Sequence, residues 1–329
     1  MSAGERRGIA CAGNWILDIV HDIPAWPAKS DLVQITKQVS GLGGGPANVA
    51  SGLMAMGANY PVVPVGLVGA RSLGDEMLAL TQEAGLDTAR IGRTSAATTS
   101  QTHVMNVPGD SRTFFHHTGA NDLLDAQMID VAGLAGMGLK IFYLGYLNLL
   151  ATLDAPGPDG RPRAASVLGD ARSRGMITCV DLVSSQSSGF RDTVFGCLPE
   201  IDYLFLNETE AARATGLRVD APEDEPGMIA AARALSEGGV LRAVILHSPA
   251  RTIWLEHGVA QVFAPAPLPP EKIVSSVGAG DALATGIIHG LHMGWTREAA
   301  VELGFRAAAA CLGTQTATGG LGPELLSGS

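Results

Sequence analysis

Six short apolar runs recur along the chain, at residues 9–13, 62–68, 141–145, 177–181, 203–207 and 243–247. Near-continuous rather than alternating apolar character marks strands buried on both faces of a sheet. Helix-patterned stretches at 47–56, 74–84, 164–174, 208–215 and 228–236 fall between or after several of them, and two more, 281–292 and 296–312, close the chain. Apolar strands alternating with helices need crossover connections, and these produce a parallel sheet covered on both sides. The pattern predicts an α/β fold: a doubly wound, mainly parallel sheet with helices on both faces, in one domain over residues 1–329.

Two regions break the alternation. Residues 31–39 and 98–116 carry a period of two with polar residues interleaved, Gln34, Thr36 and Gln38 in the first, then Thr102, Val104 and Asn106 in the second. They predict a small β-sheet standing off the main one, with its segments at about 14–40 and 98–118. Such a sheet is either a lid over a substrate or a plain surface hairpin. Residues 154–163, rich in Pro, Gly and Asp, predict a surface loop.

Composition narrows the class. At 329 residues and 46% hydrophobic, with 42 glycines and 16% charged residues, the chain has the make-up of a compact, loop-rich enzyme. The net charge is −10 and the basic residues are scattered rather than striped, so no nucleic-acid partner is expected. Cys11, Cys179, Cys197 and Cys311 are widely spaced with no CxxC pair, which predicts reduced, buried thiols. The first eight residues are polar, with no apolar signal core, and no apolar run is long enough to span a membrane. A soluble, cytoplasmic protein with no membrane partner is the expectation.

Near the C-terminal end stands Gly278-Ala279-Gly280-Asp281, at the start of an apolar helix pattern. A helix N-terminus offers unpaired N–H groups and partial positive charge, and glycines let an anion approach the backbone closely. An anion cradle beside a carboxylate is a phosphoryl-transfer site in outline. A second glycine cluster, Gly41-Leu42-Gly43-Gly44-Gly45-Pro46-Ala47-Asn48, opens another helix and ends on a side chain that both donates and accepts. Pro46 stands where a dinucleotide fingerprint needs its third glycine, and no strand directly precedes the cluster, so that reading fails; no Walker A sequence occurs either. The cluster otherwise reads as a flexible turn before a helix. Asp18, an acid among apolar neighbours after the first strand, reads either as a residue of the ligand crevice or as a turn or cap residue. Asn207 and Glu210 follow a strand at capping-box spacing; they read either as that cap or as oxygen groups near a water-rich Mg²⁺.

Taken together, the glycine-rich segment through Asn48, the Asn207 and Glu210 pair and Gly278-Ala279-Gly280-Asp281 resemble, in order and spacing, the ribokinase-like or phosphofructokinase-B-type carbohydrate kinases. The resemblance runs from Gly13 to about Gly313 and takes in Val65-Gly66-Leu67-Val68-Gly69, Gly74-Asp75 and Gly119-Ala120-Asn121. It implies an ATP-dependent phosphotransferase acting on a hydroxyl of a sugar or sugar-like molecule. By that resemblance Asp281 is the base and the Gly278, Ala279 and Gly280 amides are the anion hole. Asp18, Gly44, Gly45 and Asn48 bind acceptor hydroxyls. Asn207 lies with the ATP phosphates, and Glu210 holds Mg²⁺ through water. The two extended segments are the family's lid, which often joins two subunits into a homodimer.

Two departures accompany the resemblance. The family often has Asp-Thr before its Gly-Ala-Gly-Asp, where this chain has Ser275-Ser276, so dependence on a monovalent cation such as potassium is not carried over. Residues 246–252 lack both glycines of the family's usual turn near the nucleotide, and Pro249 removes an amide donor. A nucleoside kinase of the same fold is the alternative reading, and a non-catalytic sugar- or nucleotide-binding protein is another. The remaining polar and aromatic candidates, His116-His117, Trp254, Trp295 and Asn148, read as exposed strand-end histidines, packing tryptophans and an asparagine facing the substrate pocket.

Overall fold

The computed structural model describes residues 6–108 and 112–327. The beginning of the polar N-terminal segment and residues 109–111 of the expected lid segment 98–118 lie outside the described residues. Among the described residues thirteen strands form two sheets. They are β1 (Ile9–Gly13), β2 (Ile16–Asp22), β3 (Lys37–Gly43), β4 (Val62–Gly69), β5 (Ile91–Thr94), β6 (Gln101–Asn106), β7 (Thr113–His117), β8 (Ile141–Leu147), β9 (Ile177–Leu182), β10 (Tyr203–Asn207), β11 (Ala243–His247), β12 (Thr252–Glu256) and β13 (Val259–Phe263).

The main sheet has nine strands in the order β13-β12-β11-β10-β9-β8-β1-β4-β5. It is parallel from β5 through β11, and β12 and β13 complete it as an antiparallel edge. All six apolar runs are strands of this sheet, buried at almost every position. Each face carries its own apolar core. One face holds Leu134, Leu168, Val194 and Leu235 from the helices Val131–Gly136, Arg163–Ser173, Phe190–Cys197 and Glu225–Glu237. The other holds Leu53, Ile287 and Leu303 from the helices Gly45–Ala55, Ala279–Met293 and Arg297–Leu312. The chain winds one way from β1 to β4 and the other way from β8 to β11, so the order reverses between β1 and β8. That reversal opens a crevice at the carboxyl ends of the strands, where open α/β sheets take their ligands.

The small sheet has the order β3-β2-β6-β7. Its pairings are mixed: β2 runs antiparallel to β3 and parallel to β6, and β7 returns antiparallel. It differs from the pattern-based expectation: β2 was not foreseen as a strand, and β3 leads directly into the glycine cluster, which the sequence suggested no strand precedes. Residues 31–36 form no strand, and the pairing begins at Lys37 and runs on through Gly41 and Gly43. Asp18 does not follow the first strand as a turn residue; it sits inside β2, opposite Gly41 on one side and Thr102 on the other. The four cysteines are free and buried, as their spacing predicted. Among the described residues no helix is long and apolar enough to cross a membrane.

Candidate active site

Residue by residue, the crevice is built from strand ends and two helix starts. Gly278 takes the left-handed conformation (φ 78°) and caps the helix Ala279–Met293, whose first turn carries Asp281. A side chain at Gly278 would be strained by that torsion and would also lie 2.6 Å from the Ala317 carbonyl oxygen, so the position requires glycine. Asp281 is buried, and two groups converge on its Oδ2. Asn48 Nδ2 donates to it at 2.8 Å, and Tyr146 Oη donates to it at 2.8 Å. Burial raises the Asp281 pKa above the ordinary carboxylate value, and the Asn48 and Tyr146 hydrogen bonds oppose that rise.

Asn48 reaches Asp281 because its helix begins beside it. Gly44 caps that helix at φ 89°, and Pro46 at its start supplies the preset torsion that a first turn accepts without loss. The Pro46 that rules out a dinucleotide motif is thus a helix-start residue. Asp18 approaches the same corner from the small sheet: its carboxylate lies against Gly43, where a methyl group would overlap it. Burial pushes the Asp18 carboxyl up to about 7, with a Thr102 hydrogen bond lowering it and the Asp281 charge raising it. Asn48 Oδ1 and Asn14 Oδ1 are both buried, and among the described residues no group donates to either. Buried acceptors left open in this way suit the hydroxyl donors of a polyol.

On the other side of Asp281 a pocket of about 230 Å³ is lined by Asp181, Ser184, Asn207, Glu210, His247 and Gly280, among others. The capping box is present: Asn207 Oδ1 accepts from the Glu210 N–H at 2.8 Å and Glu210 Oε2 accepts from the Asn207 N–H at 2.8 Å. Glu210 Oε1 also accepts from Ser184 Oγ and Asn207 Nδ2, each at 2.9 Å. Burial raises the Glu210 carboxyl, while the Asn207 N–H and Ser184 lower it. The cap and the pocket are therefore the same feature, with the carboxylate oriented by its neighbours. Among the described residues no group of three His, Cys, Asp or Glu side chains forms a metal cage. A single oriented carboxylate fits Mg²⁺ that keeps most of its water, and hard oxygen donors suit that ion.

Sequence reasoning missed four residues here. Asn14 follows β1, and its Nδ2 donates to the Tyr146 carbonyl at 3.1 Å. Tyr146 lies near the end of β8. Asp181 lies near the end of β9, where burial and then the Asp281 and Glu210 charges hold its carboxyl well above the usual range. His247 ends β11 against Gly280, and burial pushes it down to about 4, so it is neutral at pH 7. All four stand at or just past the carboxyl ends of main-sheet strands, and that shared position was the available signal. Asn148 does not join them. It lines a separate cavity of about 460 Å³ with Asp122 and Asp154 rather than the pocket of Asp281. His116 and His117 are exposed, as their strand-end position suggested. Trp254 is buried against Tyr203.

The description "pfkB family carbohydrate kinase" matches the chain over residues 7–321. The chain belongs to this family. Two curated relatives of the pfkB-type chain are adenosine kinases. The Saccharomyces cerevisiae enzyme is 24% identical over 83% of this chain and 78% of its own length. "Adenosine kinase 1" of Arabidopsis thaliana is 33% identical over a stretch that spans 35% of this chain and 34% of that protein, about a third of each. Among solved structures, the Arabidopsis thaliana ribokinase complexed with ribose and ATP superposes with a TM-score of 0.80 at 19% identity, covering 98% of both chains. The Xylella fastidiosa fructokinase with bound ATP gives 0.76 at 19% identity, covering 97% of both. These likenesses establish a ribokinase-like fold, with its mainly parallel sheet and separate four-stranded sheet.

Proposed function

We propose that this chain transfers the γ-phosphoryl group of ATP to a hydroxyl of a sugar or sugar-like small molecule. The observation that carries the reading is Asp281, held by Asn48 in the first turn of a glycine-capped helix, between the corner of Asp18 and Asn48 and the pocket lined by Asn207, Glu210 and Gly280. In this reading the acceptor hydroxyl lies against Asp281, with Asp18, Asn14, Gly44, Gly45 and Asn48 around its ring. Asp281 takes the hydroxyl proton as the oxygen attacks the γ-phosphorus; the new O–P bond forms, the bond to the β-phosphate oxygen breaks, and ADP leaves. The amides of Gly278, Ala279 and Gly280 face the transferring group, whose charge they stabilise. The Ala279 N–H now donates to the Ser276 carbonyl at 3.3 Å, a long bond that a phosphate oxygen would displace. Bound Mg²⁺ would neutralise phosphate charge, with Glu210 and Asn207 holding it through water.

The reading extends to residues 1–329 acting as one cytoplasmic catalytic domain, with lid segments at 14–40 and 98–118 shielding the reaction from water. The lid carries exposed Phe114 and Phe115 on β7, which supports pairing of two subunits through it. A nucleoside acceptor is the second reading. The Tyr146 ring beside Asp281 offers an aromatic surface that a base would use, and the adenosine kinase relatives support it. A coupled ADP-release assay over sugars and nucleosides tests the proposal. Acceptor-dependent ADP release that Asp281→Asn abolishes supports it. Silence with every acceptor, alongside measurable ligand binding, would point to a non-catalytic binding protein.

A further inference from the structure

The backbone at the end of β8 is irregular. Pairing with β9 shifts between Gly145 and Leu147, so Tyr146 is the extra residue of a bulge. Its φ of 65° lies in the left-handed region that a bulky side chain rarely adopts. Bulges beside active sites re-aim a side chain, and backbone strain of this kind persists only where the surroundings enforce it. The surroundings here are specific. Asn14 Nδ2 holds the Tyr146 carbonyl, and Gly45 leaves room for the ring, since a methyl there would lie 2.9 Å from Tyr146 Cδ1. The result is a phenol directed at Asp281 Oδ2, the same oxygen that Asn48 holds. No protein hydrogen bond among the described residues reaches Asp281 Oδ1.

We propose that Tyr146 is a positioning residue for Asp281: with Asn48 it fixes Oδ2, leaving Oδ1 as the oxygen that receives the acceptor proton. The bulge and its left-handed torsion serve to deliver that hydroxyl. Without it, one donor would hold the carboxylate, which could then rotate and present either oxygen. A phenol hydrogen bond also favours the ionised carboxylate, offsetting part of what burial imposes. Other titratable groups face Asp281 from several elements: Asp18 of β2, Tyr143 of β8, Asp181 of β9, His247 of β11, Glu210 and Cys311. Changing Tyr146 leaves all of these in place.

The inference rests on the reading of Asp281 as the base, and its test separates the two. Carbon-13 NMR of the aspartate carboxyls, with Asp281 assigned from Asp281→Asn, follows the titration with no acceptor present. In Tyr146→Phe, which keeps the ring and removes only the hydroxyl, the Asp281 midpoint is expected to rise by about one pH unit, the size of one charge-assisted hydrogen bond. Tyr146→Leu, which removes the ring as well, should raise it equally. With an acceptor, Tyr146→Phe should lower kcat about tenfold or more and leave KM within about twofold, because only the base is misplaced. An unchanged midpoint in Tyr146→Phe, or a shift seen in Leu and not in Phe, would overturn the proposal and leave the ring as packing. If no acceptor is ever phosphorylated, the proposed function fails, while the titration still decides whether Tyr146 controls the carboxylate.

Discussion

Replacing Asp18 by Asn isolates what it costs the fold to bring a second acid beside Asp281. Burial, with the Asp281 charge added, raises the Asp18 carboxyl from 3.8 to about 7, against a partial offset from Thr102. A group whose folded pKa is raised favours the folded state while protonated, so its contribution is fully present below about pH 4 and is lost as pH rises through about 7. Roughly three pH units at about 1.4 kcal/mol each give about 4 kcal/mol across that window. Asp18 keeps some solvent contact, which trims the figure to about 2–4 kcal/mol. Asparagine keeps the shape and cannot ionise. For a chain of this size each kcal/mol moves Tm by about 2–3 °C. Thermal unfolding of wild type and Asp18→Asn from pH 4 to 8.5 should therefore show a difference that grows from near zero to roughly 4–12 °C in favour of the variant. Acceptor affinity should fall in the same variant. A pH-independent difference, or a variant less stable than wild type at pH 8, would refute the reasoning.

Other changes separate the parts of the site. Gly278→Ala forces a left-handed alanine against Ala317 and should cost about 1–3 kcal/mol of stability together with most of the turnover; denaturant unfolding and the ADP-release assay measure both. Asn48→Ala removes one of the two donors to Asp281 Oδ2 and a side chain of the proposed acceptor site, and acceptor KM should rise about tenfold to a hundredfold with ATP affinity unchanged. Glu210→Gln keeps an oxygen for the capping box and removes the charge, so stability should stay within about 1 kcal/mol while the Mg²⁺ concentration for half-maximal rate rises severalfold. Equal losses of stability and Mg²⁺ response would mean that Glu210 serves only the cap.

Much of the main sheet was legible because its central strands are buried on both faces and leave continuous apolar runs. The small sheet was harder to read. β2 directly follows β1 with Asp18 and His21 among its apolar residues, and β3 contains glycines that resemble a loop while most of its side chains face solvent. Solvent-facing strands with glycine have no burial pattern to betray them. β5 and β13 at the sheet edges went unread, as did β12, paired antiparallel between β11 and β13, and the short helix Phe190–Cys197. Among the candidate site residues, the helix-start positions of Asp281 and Asn48 were legible because glycines flank them. Tyr146 was not, because a bulge is invisible to periodicity and an aromatic residue in an apolar run reads as core. Asp181 was likewise hidden, as the last polar residue of a buried strand. The spacing of Asn207 and Glu210 left open a structural or a chemical role; the capping box forms, and the capped carboxylate also lines the pocket.

The central claim is that Asp281 takes the acceptor proton. Phosphorus NMR of Mg-ATP with an acceptor chosen by thermal shift tests it directly, comparing wild type with Asp281→Asn. Wild type should convert the γ-phosphate into a phosphomonoester, while Asp281→Asn binds the same acceptor and forms it at least about a thousandfold more slowly. Phosphomonoester formation by Asp281→Asn at a rate near that of wild type would contradict the account.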